Sequence, residues 1–266
     1  MKKKHGISVC FVIRNGLING YPFWESLHSA LPIADEFIIS DGDSKDKTSQ
    51  VIEKFRNQYP DKVKIIKANW EKEMGGCGEV ISIISKKAME YCKYEWIYYL
   101  QADEIIHQDN YKIIREVANG KYGVLNSVEF KFSHFIGSWN PLPDNSPAYS
   151  SAIRMVKNTS SIYLLGDGWT FVGDVKPQLP IDFIPRPIFH LAWVFPKNID
   201  LKNIEQMKIY PNMEAYQCKG RESAINIHKQ GGRQMGLPYP DDISSYPNGI
   251  ERLFGLFEYK LPFDLM

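Results

Sequence analysis

Two acidic segments have residue types that suit the binding of a nucleotide and a metal ion. The first, SDGDSKDKT at residues 40–48, follows an apolar run and places Asp41 before a glycine. A carboxylate at a strand end, followed by a glycine turn, is well placed to hydrogen-bond a base or a ribose. The second, LQADE at residues 100–104, follows another apolar run. Its carboxylates could hold a hard cation, because such cations prefer oxygen ligands and are often shared with substrate phosphates.

Each segment also has an ordinary structural explanation. The first is compatible with a polar turn in which Asp46 caps the helix that follows. The second is compatible with a solvated loop that carries two acidic side chains. Taken separately the segments are weak signals, so their meaning depends on whether the fold brings them together.

The segments lie in an alternating series of strand and helix patterns. Apolar and β-branched runs predict strands at residues 7–13, 36–40, 63–67 and 95–100. Helical spacing of apolar residues predicts helices at residues 21–31, 46–59, 79–92 and 109–118. This alternation predicts an α/β fold with a mainly parallel sheet, flanked by helices, and a ligand at the carboxyl ends of the strands.

The pattern changes after residue 120. Longer strands are predicted at residues 122–135, 151–156 and 188–195, a helix at residues 201–210, and irregular structure from residue 231. We therefore divide the chain into a nucleotide-binding half, residues 1–120, and a second half with the C-terminal tail, residues 121–266, within a single domain overall.

Composition narrows the functional classes. Hydrophobic residues make up 44% and charged residues 24% of the chain, which favours a packed core over disorder. A formal net charge of +1 argues against a non-specific nucleic-acid binder, although an enzyme could still act on DNA through a local patch. The four cysteines show no metal-binding spacing, which indicates reduced thiols and a cytoplasmic location, and no run approaches the length of a membrane span.

The two acidic segments, in this order after strand and helix units, resemble the family 2 glycosyltransferases, which have the GT-A fold. Residues 40–48 are similar to the family motif D-G-G-S-T-D-G-T, with Asp41 on its first Asp, and residues 100–104 are similar to the metal motif L-D-A-D-E. The resemblance covers roughly residues 7–118 well and the remainder loosely.

The resemblance implies a hexosyl- or pentosyltransferase that uses a nucleotide-sugar, in the first instance a UDP-sugar, with Mn²⁺ or Mg²⁺. It implies that Asp103 binds the metal and that Asp41, Gln101 and Arg14 contact the donor. Gln101 stands where the family usually has Asp, which removes one negative charge, although an amide can still bond a ribose hydroxyl. An inverting reaction is implied, with the second half binding the acceptor.

The second half supplies candidates for the base that an inverting transferase needs. Arg154 begins a segment similar to the family's R-L-F strand, and the sequence GDGW at residues 166–169 follows it. Asp167, flanked by glycines, is the first candidate base, and Asp174 and Glu129 are alternatives. Asp167 could equally be an ordinary turn residue, and the neighbouring tryptophan could stack on a sugar or pack in the core.

The segment FHLAWV at residues 189–194 is similar to an H-x-G-W segment of several family members. That similarity implies that His190 is a further metal ligand or a partner of the diphosphate, whereas a lone histidine on a strand is usually structural. Lys202 could neutralise the leaving diphosphate.

Two other functions compete with glycosyl transfer. A sugar-nucleotide nucleotidyltransferase would be expected to carry a glycine-rich basic loop near the N-terminus, for which residues 14–16 are too short. A non-catalytic sugar-nucleotide-binding protein would be compatible with Gln101. The acceptor stays open between a glycan or lipopolysaccharide precursor, a protein side chain and a hydroxylated DNA base, as in phage transferases. A membrane-bound acceptor would require peripheral membrane contact.

Overall fold

The computed structural model of the chain describes residues 3–70, 79–136, 139, 141, 148–195, 245–254, 256 and 259–264. The strands in these ranges are β1 (Lys4–Ile13), β2 (Glu36–Asp41), β3 (Val63–Lys67), β4 (Tyr94–Gln101), β5 (Glu104–Ile105), β6 (Ser127–Ile136), β7 (Ser151–Lys157), β8 (Ile162–Leu165), β9 (Thr170–Gly173), β10 (Gln178–Leu179) and β11 (Ile188–Trp193). The helices are α1 (Phe23–Ala30), α2 (Thr48–Gln58), α3 (Glu79–Met89) and α4 (Tyr111–Ala118).

One sheet runs through both halves of the described chain, in the order β3-β2-β1-β4-β7-β6-β11-β5, with β10 also paired to β6. The strands β3, β2, β1 and β4 are parallel, as the alternating pattern predicts. Strand β7 is antiparallel to β4 and β6, and β11 is parallel to β6 and antiparallel to β5. The predicted α/β class with a mainly parallel sheet is therefore confirmed.

Helices cover both faces of the sheet, as the side-chain alternation along β1 requires. Val9 and Phe11 face a core shared with α1, α2 and α4, whereas Cys10 and Val12 face α3. Successive strand residues point to opposite faces, so a strand covered on both sides needs an unbroken apolar run. Cys10 and Cys92 are buried free thiols, in agreement with the reduced cysteines that the sequence predicts.

Residues near the C-terminus pack against α1 and extend the core of the first half. Arg252 and Tyr259 bind the carboxylate of Glu25, which is buried on α1. Phe263 packs edge-on against Trp24 of the same helix, with ring centroids 4.7 Å apart. These residues near the C-terminus are thus anchored to α1.

Several predicted elements differ from those observed. Strand β6 begins at Ser127 rather than at residue 122, because Gly120 and Gly123 adopt positive φ and form turns first. The short strands β5, β8, β9 and β10 have no counterpart in the sequence prediction. The predicted helix at residues 201–210 and most of the predicted irregular tail lie outside the described residues. No helix in the described parts of the chain has the length and apolar character of a membrane span.

Asp46 joins the loops that follow β1 and β2. Its Oδ2 accepts hydrogen bonds from the backbone N–H groups of Leu17 (3.1 Å) and Ile18 (2.9 Å), and its Oδ1 accepts from the N–H of Thr48 (2.9 Å). The last bond ties Asp46 to the first residue of α2, but the predicted cap is wrong, because the helix begins at Thr48 with Lys47 at its N-cap position and has no side-chain cap. Asp46 therefore bonds two loops at the carboxyl ends of neighbouring strands, and hydrogen bonds of Asn15 with Ser44 and Lys45 join the same loops.

We expect Asp46→Ala to lower the free energy of unfolding by about 1–3 kcal/mol, because it removes a carboxylate that accepts hydrogen bonds from three backbone N–H groups. Urea unfolding followed by circular dichroism would measure the loss. Asp61→Ala removes an exposed acid and serves as the control. Equal midpoints for the two variants would contradict a joining role for Asp46.

Candidate active site

The candidate site lies at the carboxyl ends of β1, β2 and β4, which we call the carboxyl edge. Register places Ile13 opposite Asp41, and Val12 opposite Gln101. The last residues of these three strands therefore lie side by side. This is the edge at which ligands bind in open α/β sheets.

Asp41 is the most thoroughly bonded carboxylate of this edge. The side chain is fully buried, and its oxygens accept hydrogen bonds from the Ser44 hydroxyl (2.9 Å), the Ser49 hydroxyl (2.5 Å) and Lys67 Nζ (3.1 Å). Burial acts to raise the pKa of Asp41, but the hydrogen bonds from Ser49, Ser44 and Lys67 outweigh it, so the pKa is lowered. Asp41 thus holds the loop after β2 in shape. A contact from Asp41 to a nucleotide stays a prediction.

Arg14 directly follows the last residue of β1, at the carboxyl edge. Its guanidinium carbon lies 5.7 Å from the ring centroid of Trp70, at the end of the segment that follows β3. Gly42 lies between them, because a Cβ on Gly42 would approach Trp70 to 2.5 Å and Arg14 to 3.2 Å. The glycine predicted for this turn is therefore required by close packing. Arg14 itself is partly exposed.

Gln101 connects the carboxyl edge to the turn that carries the candidate base. The side-chain amide of Gln101 donates to the backbone carbonyl oxygen of Gly168 (3.2 Å). The backbone carbonyl oxygen of Gln101 accepts a hydrogen bond from the Ser26 hydroxyl (3.0 Å). Gly168 has φ +81°, and a Cβ there would lie 2.7 Å from the Tyr99 hydroxyl. This turn therefore requires glycine at residue 168.

Glu104 and Arg154 form a fully buried ion pair behind the site. Arg154 Nη2 donates to Glu104 Oε1 (2.7 Å), and Nε donates to both carboxylate oxygens (2.9 and 3.1 Å). Arg154 Nη1 donates to the carbonyl oxygen of Trp169 (2.6 Å). Burial raises the pKa of Glu104, and the adjacent guanidinium offsets only part of that increase. The pair joins the LQADE segment, β7 and the GDGW turn.

Asp103 and His190 meet through the pairing of β5 with β11. His190 lies opposite Glu104 in that antiparallel pair, and the N–H of Leu191 donates to the carbonyl oxygen of Asp103 (2.8 Å). His190 Nε2 consequently lies 3.7 Å from Asp103 Oδ1. The two predicted metal ligands, which are far apart in the sequence, are neighbours in space.

His134 is a further member of this site, and its position in the sequence shows no spacing typical of a metal or catalytic site. It lies on β6, where its Nδ1 is 2.9 Å from His190 Nδ1 and its Nε2 is 2.7 Å from the carbonyl oxygen of Tyr149. Burial lowers the pKa of His134. The parallel pairing of β6 with β11 puts the two histidines directly opposite each other. The contact between His134 and His190 follows from this strand pairing and could not be predicted from their spacing in the sequence.

The three candidate bases occupy very different positions. Asp167 lies in the turn between β8 and β9, half-buried between two glycines of positive φ. Asp174 is exposed at the opposite end of that hairpin, where its N–H donates to the carbonyl oxygen of Ser161. Glu129 accepts from the Ser151 hydroxyl (2.6 Å), and strand alternation turns it to the face of β6 opposite His134. Of the three, only Asp167 shares a turn with residues that contact the carboxyl edge.

Aromatic rings surround the histidine pair. The Tyr149 ring lies 4.7 Å from the His134 ring and 6.2 Å from the Trp169 ring, measured between centroids. Trp169 is 41% exposed, so one part of its ring is available to a ligand. Phe132 packs against Tyr149 at 5.1 Å and lies under the guanidinium of Arg154. The site therefore combines ionisable groups with a partly exposed apolar wall.

Within the ranges that the structure describes, no group of three or more His, Cys, Asp or Glu side chains converges as a complete metal site. Asp103 and His190 form a two-residue set. Lys202, the predicted partner of the diphosphate, lies outside the described residues.

Comparison with known proteins identifies the family. The model of glycosyl transferase family 2 matches residues 21–169, which is more than half of the 266 residues. The chain therefore belongs to glycosyl transferase family 2 and is a glycosyltransferase, which confirms the resemblance and the GT-A fold class predicted from the sequence. No curated protein sequence matches the chain significantly.

The chain also resembles solved structures, at low sequence identity. S. aureus TarS is 17% identical, with a TM-score of 0.46, over 86% of this chain and 44% of that chain. S. aureus TarS 1–349 in complex with UDP-GlcNAc is 16% identical, with a TM-score of 0.45, over 86% of this chain and 74% of that chain. The mannosyltransferase PcManGT from Pyrobaculum calidifontis, in complex with GDP-Man and Mn²⁺, is 10% identical, with a TM-score of 0.43, over 88% of this chain and 77% of that chain. This chain thus spans less than half the length of the longer TarS structure.

We expect Arg154→Met to lower the free energy of unfolding by about 3–5 kcal/mol, because it leaves the Glu104 carboxylate buried without its partner. The double variant Arg154→Met with Glu104→Met should recover much of that loss. Urea unfolding of the variants would complete a double-mutant cycle.

Arg115→Met is the matched control for this prediction. Arg115 pairs with Asp35 at 2.6 Å in a partly exposed ion pair, for which a loss of about 1 kcal/mol or less is expected. A loss in Arg154→Met no larger than in this control would contradict the importance of the buried pair.

Proposed function

We propose that this glycosyltransferase moves a sugar from a nucleoside diphosphate sugar to an acceptor hydroxyl with inversion, using Mn²⁺ or Mg²⁺ held by Asp103 and His190. The observation that carries the proposal is the convergence of Asp103 Oδ1 and His190 Nε2, 3.7 Å apart, beside the carboxyl edge. Strand pairing alone brings these two side chains together, and the family uses nucleotide-sugars. Both facts support a shared role for Asp103 and His190 in binding the diphosphate of the donor.

The donor set suits a cation that the substrate helps to bind. Asp103 would supply a carboxylate oxygen, the ligand type that Mn²⁺ and Mg²⁺ prefer, and His190 would add an imidazole nitrogen as a second, weaker ligand. Two protein ligands leave room for oxygens of the diphosphate. When bound, such a cation would supply positive charge against the departing nucleoside diphosphate.

The carboxyl edge offers the groups for the rest of the donor. Asp41 and its serine partners shape the loop that would receive the base and ribose, and Arg14 lies beside that loop. Gln101 lies on the neighbouring strand and can offer its amide oxygen to a hydroxyl while its N–H₂ group holds Gly168. A UDP-sugar is the first donor to test. Lys202 stays a predicted contact.

Asp167 is our candidate for the base that takes the proton from the acceptor hydroxyl. Its turn is held by Arg154 through Trp169 and by Gln101 through Gly168, so the carboxylate is carried on a fixed segment. A base must be held in place to act in the transition state. The exposed part of Trp169 could stack on the acceptor ring in the same place.

Membership of family 2 favours glycosyl transfer over a sugar-nucleotide nucleotidyltransferase or a non-catalytic binding protein. Pyrophosphate release would identify the former alternative, and absence of donor hydrolysis the latter. Acceptors to test are glycan and lipopolysaccharide precursors and a hydroxylated base in DNA.

We expect UDP with Mn²⁺ to raise the melting temperature by about 5–10 °C, because ligand at a hundredfold its dissociation constant adds about 2.7 kcal/mol of stability. Differential scanning fluorimetry would measure the shift. EDTA or Asp103→Asn should remove the metal-dependent part. No shift with UDP, GDP, TDP or CMP, with or without metal, would count against the proposed donor class.

We expect Asp167→Asn to lower kcat for donor turnover by about 10²–10⁴-fold, because the amide cannot accept the proton. Nucleotide affinity should persist, since the base faces the acceptor. Donor hydrolysis followed by NMR would give both the rate and the anomeric configuration of the released sugar.

Asp174→Asn and Glu129→Gln are the matched controls for the base. Both should retain wild-type kcat, because one residue lies at the far end of the hairpin and the other on the opposite face of β6. If Asp167→Asn kept more than about a tenth of wild-type kcat while a control lost more, the role would move to that control.

A further inference from the structure

Four polar groups form a row that ends at the proposed metal site. The Tyr149 carbonyl oxygen lies 2.7 Å from His134 Nε2, and His134 Nδ1 lies 2.9 Å from His190 Nδ1. On its other side, His190 presents Nε2 to Asp103 Oδ1 at 3.7 Å. The order is therefore carbonyl, His134, His190 and carboxylate.

The carbonyl determines where the protons lie. A carbonyl oxygen can only accept, so His134 Nε2 must carry a hydrogen and donate it. A neutral imidazole has one N–H, which leaves His134 Nδ1 as an acceptor. His190 Nδ1 must then donate to it, and the neutral His190 ring carries its lone pair on Nε2, toward Asp103.

We propose that His134 is a positioning residue that fixes His190 in the Nδ1–H tautomer and so aims the Nε2 lone pair at the space shared with Asp103. This inference rests on the proposed function for its purpose, because the lone pair matters only if a cation binds there. The carbonyl of Tyr149 acts through His134 in the same way that outer hydrogen-bond partners orient metal-binding histidines in general.

The arrangement opposes the ordinary preference of the ring. Free neutral histidine favours the Nε2–H tautomer, in which Nε2 cannot bind a cation. The hydrogen bond to His134 compensates for this preference before any ligand arrives. It also restricts rotation of the His190 ring, since the bond is kept in one orientation only.

The tautomer of His190 tests the inference directly. In long-range ¹H–¹⁵N spectra of metal-free protein, at a pH well above the ordinary histidine pKa of about 6.5, wild-type His190 should show a protonated Nδ1 and an unprotonated Nε2. His190→Gln would assign the signals. His134→Phe keeps a ring but removes the acceptor, so His190 should change mainly to the Nε2–H form. His134→Asn places an amide oxygen near the Nδ1 position and should preserve the Nδ1–H form.

The control for loss of a histidine is His5→Phe, which changes an exposed ring bonded to Glu95 and Asn119 and should leave the spectrum of His190 unchanged. A wild-type His190 in the Nε2–H form would overturn the inference, and that spectrum needs no variant to fold. Retention of the Nδ1–H form in His134→Phe would overturn it as well.

Mn²⁺ affinity in the presence of UDP gives a second readout, by electron paramagnetic resonance. His134→Phe should weaken Mn²⁺ binding by about 10–100-fold, and His134→Asn should restore most of it. Unchanged affinity in His134→Phe would overturn the purpose that we assign to the tautomer. If wild-type protein with UDP bound no Mn²⁺, the proposed function would fail, whereas the metal-free spectra would still decide what His134 does to His190.

Discussion

The buried ion pair between Glu104 and Arg154 connects the segments on which the candidate site depends. Glu104 follows directly after Asp103, and Arg154 holds the carbonyl of Trp169 with the same guanidinium that binds the carboxylate. A buried charge is strongly unfavourable without its partner, so the LQADE segment and the GDGW turn have few alternative arrangements. The positions of Asp103 and Asp167 relative to each other therefore depend on a contact in which neither takes part.

The sequence predicted the first half of the fold better than the second for a physical reason. Strands β1 to β4 are apolar runs separated by amphipathic helices, and local periodicity is sufficient to define them. The sheet then continues through β7, β6 and β11, whose neighbours are far apart in the sequence. The two-residue strands β5 and β10 are defined only by their pairing partners, so no local pattern could predict them.

The candidate site residues also differ in how well the sequence predicts them. Asp41 and Asp103 stand at the ends of strands, where topology alone predicts a ligand site. The role of Arg154 could not be derived from its segment, because its meaning comes from Glu104 on another strand. His134 showed no spacing that suggested chemistry, and strand pairing alone places it opposite His190. Candidate ligand-contacting residues were thus easier to predict from the sequence than the residues that hold them in place.

Gln101 departs from the family motif, and its side chain contributes to the contacts that hold the GDGW turn beside the LQADE segment. Its amide N–H₂ donates to the carbonyl of Gly168, a bond that the ionised aspartate usual at this position could not make. A carboxylate at residue 101 would also stand close to Asp103 and Glu104, and Asp103 already acts to raise the pKa of Glu104, after the larger effect of burial. The amide removes that repulsion and adds a donor to the turn that carries Asp167. The loss of one negative charge near the proposed cation is therefore accompanied by an added hydrogen bond to the turn that carries the candidate base. Among the described residues, Asp103 is the carboxylate that we propose for the cation, and the diphosphate would supply further negative charge.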